Sequence, residues 1–98
     1  GAYKFSGVCG NGGSVYTEYL IVGKYTYNVS ITNDSSSPGK LTYRIYNFSS
    51  NDELVTSGTV APGKTESFTV GGLSQTSKIY IKFTSSGSGL TSLSGSIG

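Results

Sequence analysis

Lys24-Tyr25-Thr26-Tyr27-Asn28-Val29-Ser30-Ile31-Thr32 alternates apolar and polar side chains without a break. Tyr25, Tyr27, Val29 and Ile31 fall on one side of an extended chain, and Lys24, Thr26, Asn28, Ser30 and Thr32 on the other. Successive side chains of a strand point to opposite faces, so a period of two with one apolar set predicts a strand with one buried face. The pattern recurs outward from this stretch. Leu41, Tyr43 and Ile45 alternate with Thr42, Arg44 and Tyr46, while Ile79, Ile81 and Phe83 alternate with Lys78, Tyr80, Lys82 and Thr84. Runs at 3–8, 14–22, 54–60, 65–70 and 90–97 complete about eight strands. The 14–22 run holds the one continuous apolar stretch, Leu20-Ile21-Val22, and the last run is poor in large side chains.

The segments between these runs carry turn chemistry. In Ala61-Pro62-Gly63-Lys64, proline presets φ at the first central position and glycine takes the positive φ of a type II turn. Gly10-Asn11-Gly12-Gly13 predicts a tight hairpin. Asn33-Asp34-Ser35-Ser36-Ser37-Pro38-Gly39 reads as a hairpin-like loop, and Ser85-Ser86-Gly87-Ser88-Gly89 as the turn into the last strand. No ten-residue window shows the 3.6-residue apolar period, and the β-branched residues and glycines disfavour helix throughout. The expected fold is all-β: a single two-layer antiparallel β-sandwich of about eight strands, immunoglobulin-like or jelly-roll, over residues 1–98, with a small closed β-barrel as the alternative.

Composition narrows function by exclusion. Only 12% of the residues are charged, against about 25% in an average globular protein, and Ser, Thr, Gly and Asn make up the difference. The six lysines and one arginine are dispersed and the net charge is +2, so no footprint for nucleic acid exists. Histidine is absent and Cys9 is the single cysteine, which removes the usual general base, an intrachain disulfide and a Cys/His zinc site. Cys9 sits between Val8 and a glycine turn and is expected to be buried and inert, an intermolecular disulfide being the alternative. No run approaches the ~20 apolar residues of a membrane span, and no secretory leader pattern opens the chain, as expected once a signal peptide has been removed.

The carboxylates Glu18, Asp34, Asp52, Glu53 and Glu66 are scattered as on solvated strands and turns, rather than set as a catalytic pair. Asn33-Asp34 and Asn51-Asp52-Glu53 supply oxygens in loops, but neither follows a calcium-loop pattern. No catalytic residue, metal ligand or cofactor is therefore assigned. Three Asn-x-Ser sequons, at Asn28, Asn33 and Asn47, are ordinary for so Ser- and Asn-rich a chain.

One constellation has chemistry. If Ile79, Ile81 and Phe83 point inward, then Lys78, Tyr80 and Lys82 point outward, and by the same alternation so do Arg44 and Tyr46. Tyrosines on a rigid sheet offer stacking surface for sugar rings, and the neighbouring cations can meet anionic groups. The bland reading is a solvated strand face whose lysines discourage edge pairing.

From Asp34 onward, Gly58-Thr59-Val60-Ala61-Pro62-Gly63-Lys64-Thr65-Glu66-Ser67-Phe68-Thr69-Val70 and Ile79-Tyr80-Ile81-Lys82-Phe83 resemble bacterial extracellular immunoglobulin-like and jelly-roll accessory modules. The resemblance implies a sandwich fold and a role in envelope anchoring, carbohydrate binding or spacing of other domains, and it transfers no site residue. The resulting expectation is a non-catalytic, secreted or cell-surface binding module. Its partner is a glycan, a cell-envelope polymer or a protein, and Arg44, Tyr46, Lys78, Tyr80 and Lys82 form its site. A self-assembling surface or virion protein is the alternative. A small toxin or a protease inhibitor presenting the loop 33–40 is a weaker one.

Overall fold

The computed structural model describes residues 3–10, 13–16, 21, 23–35, 39–85 and 90–98. In chain order the strands are β1 (Tyr3–Gly10), β2 (Ser14–Tyr16), β3 (Tyr27–Asn33), β4 (Leu41–Asn47), β5 (Glu53–Val60), β6 (Thr65–Val70), β7 (Ile79–Ser85) and β8 (Leu90–Ile97). A single 3₁₀ turn, Phe48–Ser50, is the helical structure among the described residues. The first sheet has the order β1-β8-β3-β6 and the second β2-β7-β4-β5, and every pairing is antiparallel. Among the described residues no ladder joins the sheets, so the fold is an open β-sandwich and not a closed barrel.

The inward sets of the alternating strands meet between the sheets. Tyr27, Val29 and Ile31 from β3, Leu41, Tyr43 and Ile45 from β4, and Ile79, Ile81 and Phe83 from β7 are all buried, joined by Val60, Val70, Leu93 and Ile97. Each fully buried aliphatic of this size contributes about 1.5–3 kcal/mol of transfer free energy. Tyr25 departs from its expected inward place. β3 begins only at Tyr27, and Tyr25 lies in the preceding bend with its ring exposed.

Two glycines make room for aromatic rings. Gly58 on β5 is the register partner of Tyr43, whose phenol ring lies where a Cβ would stand, 2.7 Å from its Cζ. That ring stacks on Phe68 of β6 with centroids 4.9 Å apart and planes 12° from parallel, covering one open side of the sandwich. Gly95 on β8 lies under the Phe5 ring of β1, which reaches across the core to Phe83 at 5.3 Å.

Local turn geometry follows the residues, but the pairing around the turns departs from the expected hairpins. The Ala61–Lys64 turn is closed by the Lys64 N–H to the Ala61 carbonyl at 3.0 Å, with Gly63 at φ +76°, as a type II turn requires. It nevertheless carries the chain from one sheet to the other. The Gly13 N–H closes the predicted turn on the Gly10 carbonyl at 2.8 Å, yet β1 pairs with β8 and β2 with β7, so it makes no hairpin. The links β3 to β4 and β7 to β8 also change sheets, and among the described residues only β4 and β5 form a hairpin between consecutive strands. Asn51 and Asp52 turn that hairpin at φ 55° and 58°, a left-handed conformation that Asn and Asp tolerate. Residues 11–12, 17–20, 22, 36–38 and 86–89 lie outside the described residues. With them lie most of the predicted 14–22 strand, Glu18, and the centres of the loops at 33–39 and 85–89.

Candidate functional site

β7 and β4 are neighbours, and their registers place the sequence-predicted residues in rows on the outer face of the second sheet. Tyr80 is the partner of Tyr46, and Lys82 is the partner of Arg44. The short edge strand β2 adds Tyr16 beside Lys82, and β5 adds Leu54 beside Tyr46 and Ser57 beside Arg44. The row beyond holds Ser14, Thr84, Thr42 and Thr59. Neighbouring rows on one face lie two residues apart along each strand, about 6.8 Å, so an aromatic row, a cationic row and a hydroxyl row run side by side.

Four of the five predicted residues form one block. Lys78 stands just before β7, exposed at its end, where its backbone N–H donates to Ser49 Oγ at 3.1 Å. Tyr16 and Asp52 were missed as site residues. Ser14, Val15 and Tyr16 do alternate, so the outward direction of Tyr16 was legible, but its pairing with residues near position 82 was not.

Tyr80 is the middle of an aromatic ladder that runs along its own row to Tyr46 and diagonally to Tyr16 at the end of the cationic row. Tyr46 stacks on it with centroids 5.3 Å apart and planes at 25°, and Tyr16 lies on the other side at 6.1 Å, tilted by 49°. The Tyr80 hydroxyl donates to Asp52 Oδ1 at 2.9 Å, tying the ladder to the β4–β5 turn. Burial of the phenol, this hydrogen bond and the Asp52 charge, with smaller contributions from Tyr46 and Tyr16, push the Tyr80 pKa up to about 12. Tyr80 is thus a neutral donor over the whole physiological range. Being flanked on both sides, it braces the ladder, whereas Tyr16 is 57% exposed and offers open ring surface. Lys82 Nζ stands 5.9 Å from the Tyr16 ring centroid, within reach of a cation–π contact.

The opposite face of the sandwich differs in chemistry. Ser6, Ser94, Thr32 and Thr65 form one row across the first sheet, and Lys4, Ser96, Ser30 and Ser67 the next. A shallow depression of about 350 Å³ lies there, lined by Asn28, Ser30, Ser67, Thr69 and Ser96. A groove of about 360 Å³ opens between β1 and β2 over Phe5, Val15, Phe83 and Leu93. The groove shares Tyr16 with the end of the tyrosine ladder, while Tyr80 and Tyr46 line neither hollow.

The other sequence candidates have structural roles. Cys9 is 1% exposed, its thiol donating to the Phe83 carbonyl at 3.6 Å. Asn33 is fully buried, although Asp34 and Ser35 of its sequon are exposed, and Asn47 Oδ1 accepts the Ser49 N–H ahead of the 3₁₀ turn. Among the described residues no three acidic or Cys side chains gather as a metal site would require, and no helix is long and apolar enough to cross a membrane.

No family model matches the chain, and no curated protein matches it by sequence. Solved structures match it in fold. The pre-peptidase C-terminal domain of collagenase from Bacillus anthracis superposes with a TM-score of 0.67 at 13% identity, over 98% of this chain and 88% of that one. A Yersinia pseudotuberculosis-derived mitogen gives 0.65 at 11% identity, over 99% and 84%. A structure of Bacillus endospore appendages, described as disulfide-linked pili, gives 0.62 at 16% identity, over 99% and 82%. At these identities the likeness establishes the β-sandwich fold.

Proposed function

We propose that this chain is a one-domain, non-catalytic, secreted or cell-surface module that binds a glycan or cell-envelope polymer on the outer face of its second sheet. The observation that carries this reading is the Tyr16–Tyr80–Tyr46 ladder, braced by Asp52 and bordered by Arg44 and Lys82. Aromatic rings fixed on a sheet lose little entropy on binding, and stacking with hydroxyl hydrogen bonds is the chemistry that retains a sugar chain. Fold similarity to the pre-peptidase C-terminal domain of a collagenase and to Bacillus endospore appendages supports an extracellular setting. The test is co-sedimentation with insoluble polysaccharides and purified cell wall. Pelleting that is lost in Tyr16→Ala and Tyr80→Ala, with folding intact, is the expected result. Pelleting that survives both substitutions overturns the assignment of this face.

Self-assembly is the second reading, favoured by one feature. Edge strand β6 exposes Thr65, Glu66, Ser67 and Thr69 without lysine or proline to block pairing. Analytical ultracentrifugation separates the two: a defined oligomer supports assembly, and a monomer at high concentration argues for the binding module. The toxin or inhibitor reading draws only on the fold shared with a mitogen.

A further inference from the structure

We infer that the polymer taken by this face is acidic, and that Arg44 and Lys82 form the subsite for a carboxylate or phosphate on the unit lying beside the tyrosine ladder. This rests on the glycan or envelope-polymer reading above and adds the charge of the ligand. Arg44 and Lys82 are register partners on adjacent strands, which sets two like charges on Cβ atoms about 5 Å apart, an arrangement that destabilises a sheet pair. Among the described residues neither has an ion pair, and the carboxylate that does reach this face, Asp52, is engaged by the Tyr80 phenol. Lys82 leans away from Arg44 over the Tyr16 ring. An anion entering between the two cations relieves their repulsion, and the arginine fork matches carboxylate and phosphate oxygens alike.

The flanking rows complete the recognition chemistry. On one side, about 6.8 Å along the strands, lies the Tyr46–Tyr80 stack, and at the same distance on the other lie the hydroxyls of Thr42, Thr84 and Ser14. The Ser14 and Thr84 hydroxyls are already within 3.1 Å of each other and can bond outward in either sense. A ligand unit that combines a ring or polyol, an anionic group and free hydroxyls satisfies all three rows. A neutral glucan leaves the cation pair unmet, and a plain acidic peptide leaves the aromatic row unused.

Binding of the whole chain to soluble polygalacturonate, its methyl ester, poly(glycerol phosphate) and poly-glutamate, measured by calorimetry at low and high salt, tests this. Polygalacturonate or poly(glycerol phosphate) is expected to bind about tenfold tighter than the methyl ester, and the better of the two identifies carboxylate or phosphate as the source. Arg44→Gln and Lys82→Gln should each weaken acidic-polymer binding about fivefold, while Lys64→Gln, on the inter-sheet turn, leaves it unchanged. Circular dichroism confirms that each variant is folded. Equal affinity for acid and ester overturns the acidic inference and leaves the glycan reading standing. Poly-glutamate binding as tightly as polygalacturonate, or Lys64→Gln losing as much as Lys82→Gln, also overturns it by showing diffuse charge attraction. No binding to any of these polymers, nor to insoluble polysaccharide or wall, removes the underlying reading itself.

Discussion

Tyr80 donates its hydroxyl hydrogen to Asp52 Oδ1 at 2.9 Å, joining the middle of β7 to the turn between β4 and β5. Twenty-eight residues of chain separate the two partners, so the bond forms only when the hairpin has docked on β7. Its consequence is electrostatic: the phenol holds its proton far above its ordinary value of 10.0, to about 12. A group that binds its proton more tightly when folded adds stability that is complete below the unfolded pKa and is lost as pH rises through the folded one. Alkaline unfolding should therefore gain a contribution from Tyr80 between about pH 10 and 12. NMR titration of ring-labelled tyrosine should show Tyr80 ionising late, and Asp52→Asn should bring it back toward the ordinary phenol value. A Tyr80 signal that titrates unchanged in Asp52→Asn would show that the carboxylate does not act on it.

The two ring-covered glycines differ in how much can give way. At Gly58 the three atoms nearest an added Cβ all belong to the far end of the Tyr43 side chain, which can swing at the expense of its stack on Phe68. At Gly95 it meets the Ser30 backbone carbonyl as well as the Phe5 ring. Gly58→Ala should cost about 1–2 kcal/mol and Gly95→Ala about 3 kcal/mol or more, since the backbones of β8 and β3 must part. Urea unfolding of the two variants checks the order, and equal losses would contradict it.

These glycines also show where sequence reading stops. Alternation named the buried faces of β3, β4 and β7, because a two-residue period is local and each inward side chain must be apolar. The type II turn at Pro62-Gly63 was legible because proline and glycine fix their own dihedrals. Which sheet a strand joins is decided by partners dozens of residues away, so Gly10 to Gly13 reads as a hairpin turn and Asn33 to Gly39 as a hairpin-like loop although each links different sheets. The same limit applies to the candidate site. Arg44, Tyr46, Tyr80 and Lys82 could each be placed outward, but that Tyr46 meets Tyr80, Tyr16 flanks them and Asp52 braces them depends on the strand order.

Cys9 should be unreactive in the folded chain. Its side chain is buried against the Phe83 carbonyl, and burial pushes the thiol pKa up from 9.0, with the Val15 backbone pulling weakly the other way. Reaction needs an accessible thiolate, and both conditions fail here. A thiol reagent at pH 8 should label Cys9 slowly in buffer and rapidly in denaturant, and air-oxidised protein should run as a monomer on a non-reducing gel. Rapid native labelling or a reducible dimer would reverse that conclusion.

Asn33 closes one end of the sandwich. It is fully buried at the last position of β3, where its Nδ2 donates to the Gly39 carbonyl at 3.0 Å and to the Val60 carbonyl at 2.9 Å. Its own N–H donates to the Lys64 carbonyl and its carbonyl accepts from Gly63 N–H. One side chain thus ties the β3–β4 crossover to the end of β5, while its backbone holds the Pro-Gly turn. Asn33→Ala takes the donor from both carbonyls at a cost of about 1–3 kcal/mol each. The melting temperature should then fall by about 10 °C or more, at roughly 4–8 °C per kcal/mol for a domain of this size. Asn33→Asp keeps the shape but offers only acceptors, and a carboxylate facing two carbonyls is held protonated to a higher pH when folded than the ordinary ~3.9. Its stability should therefore be greatest in acid and should fall as pH rises through that folded pKa. Melting curves of the two variants at pH 4 and pH 7 separate the cases: Asn33→Asp should recover in acid relative to Asn33→Ala, and parallel behaviour would show that the amide donors are not what holds this end together.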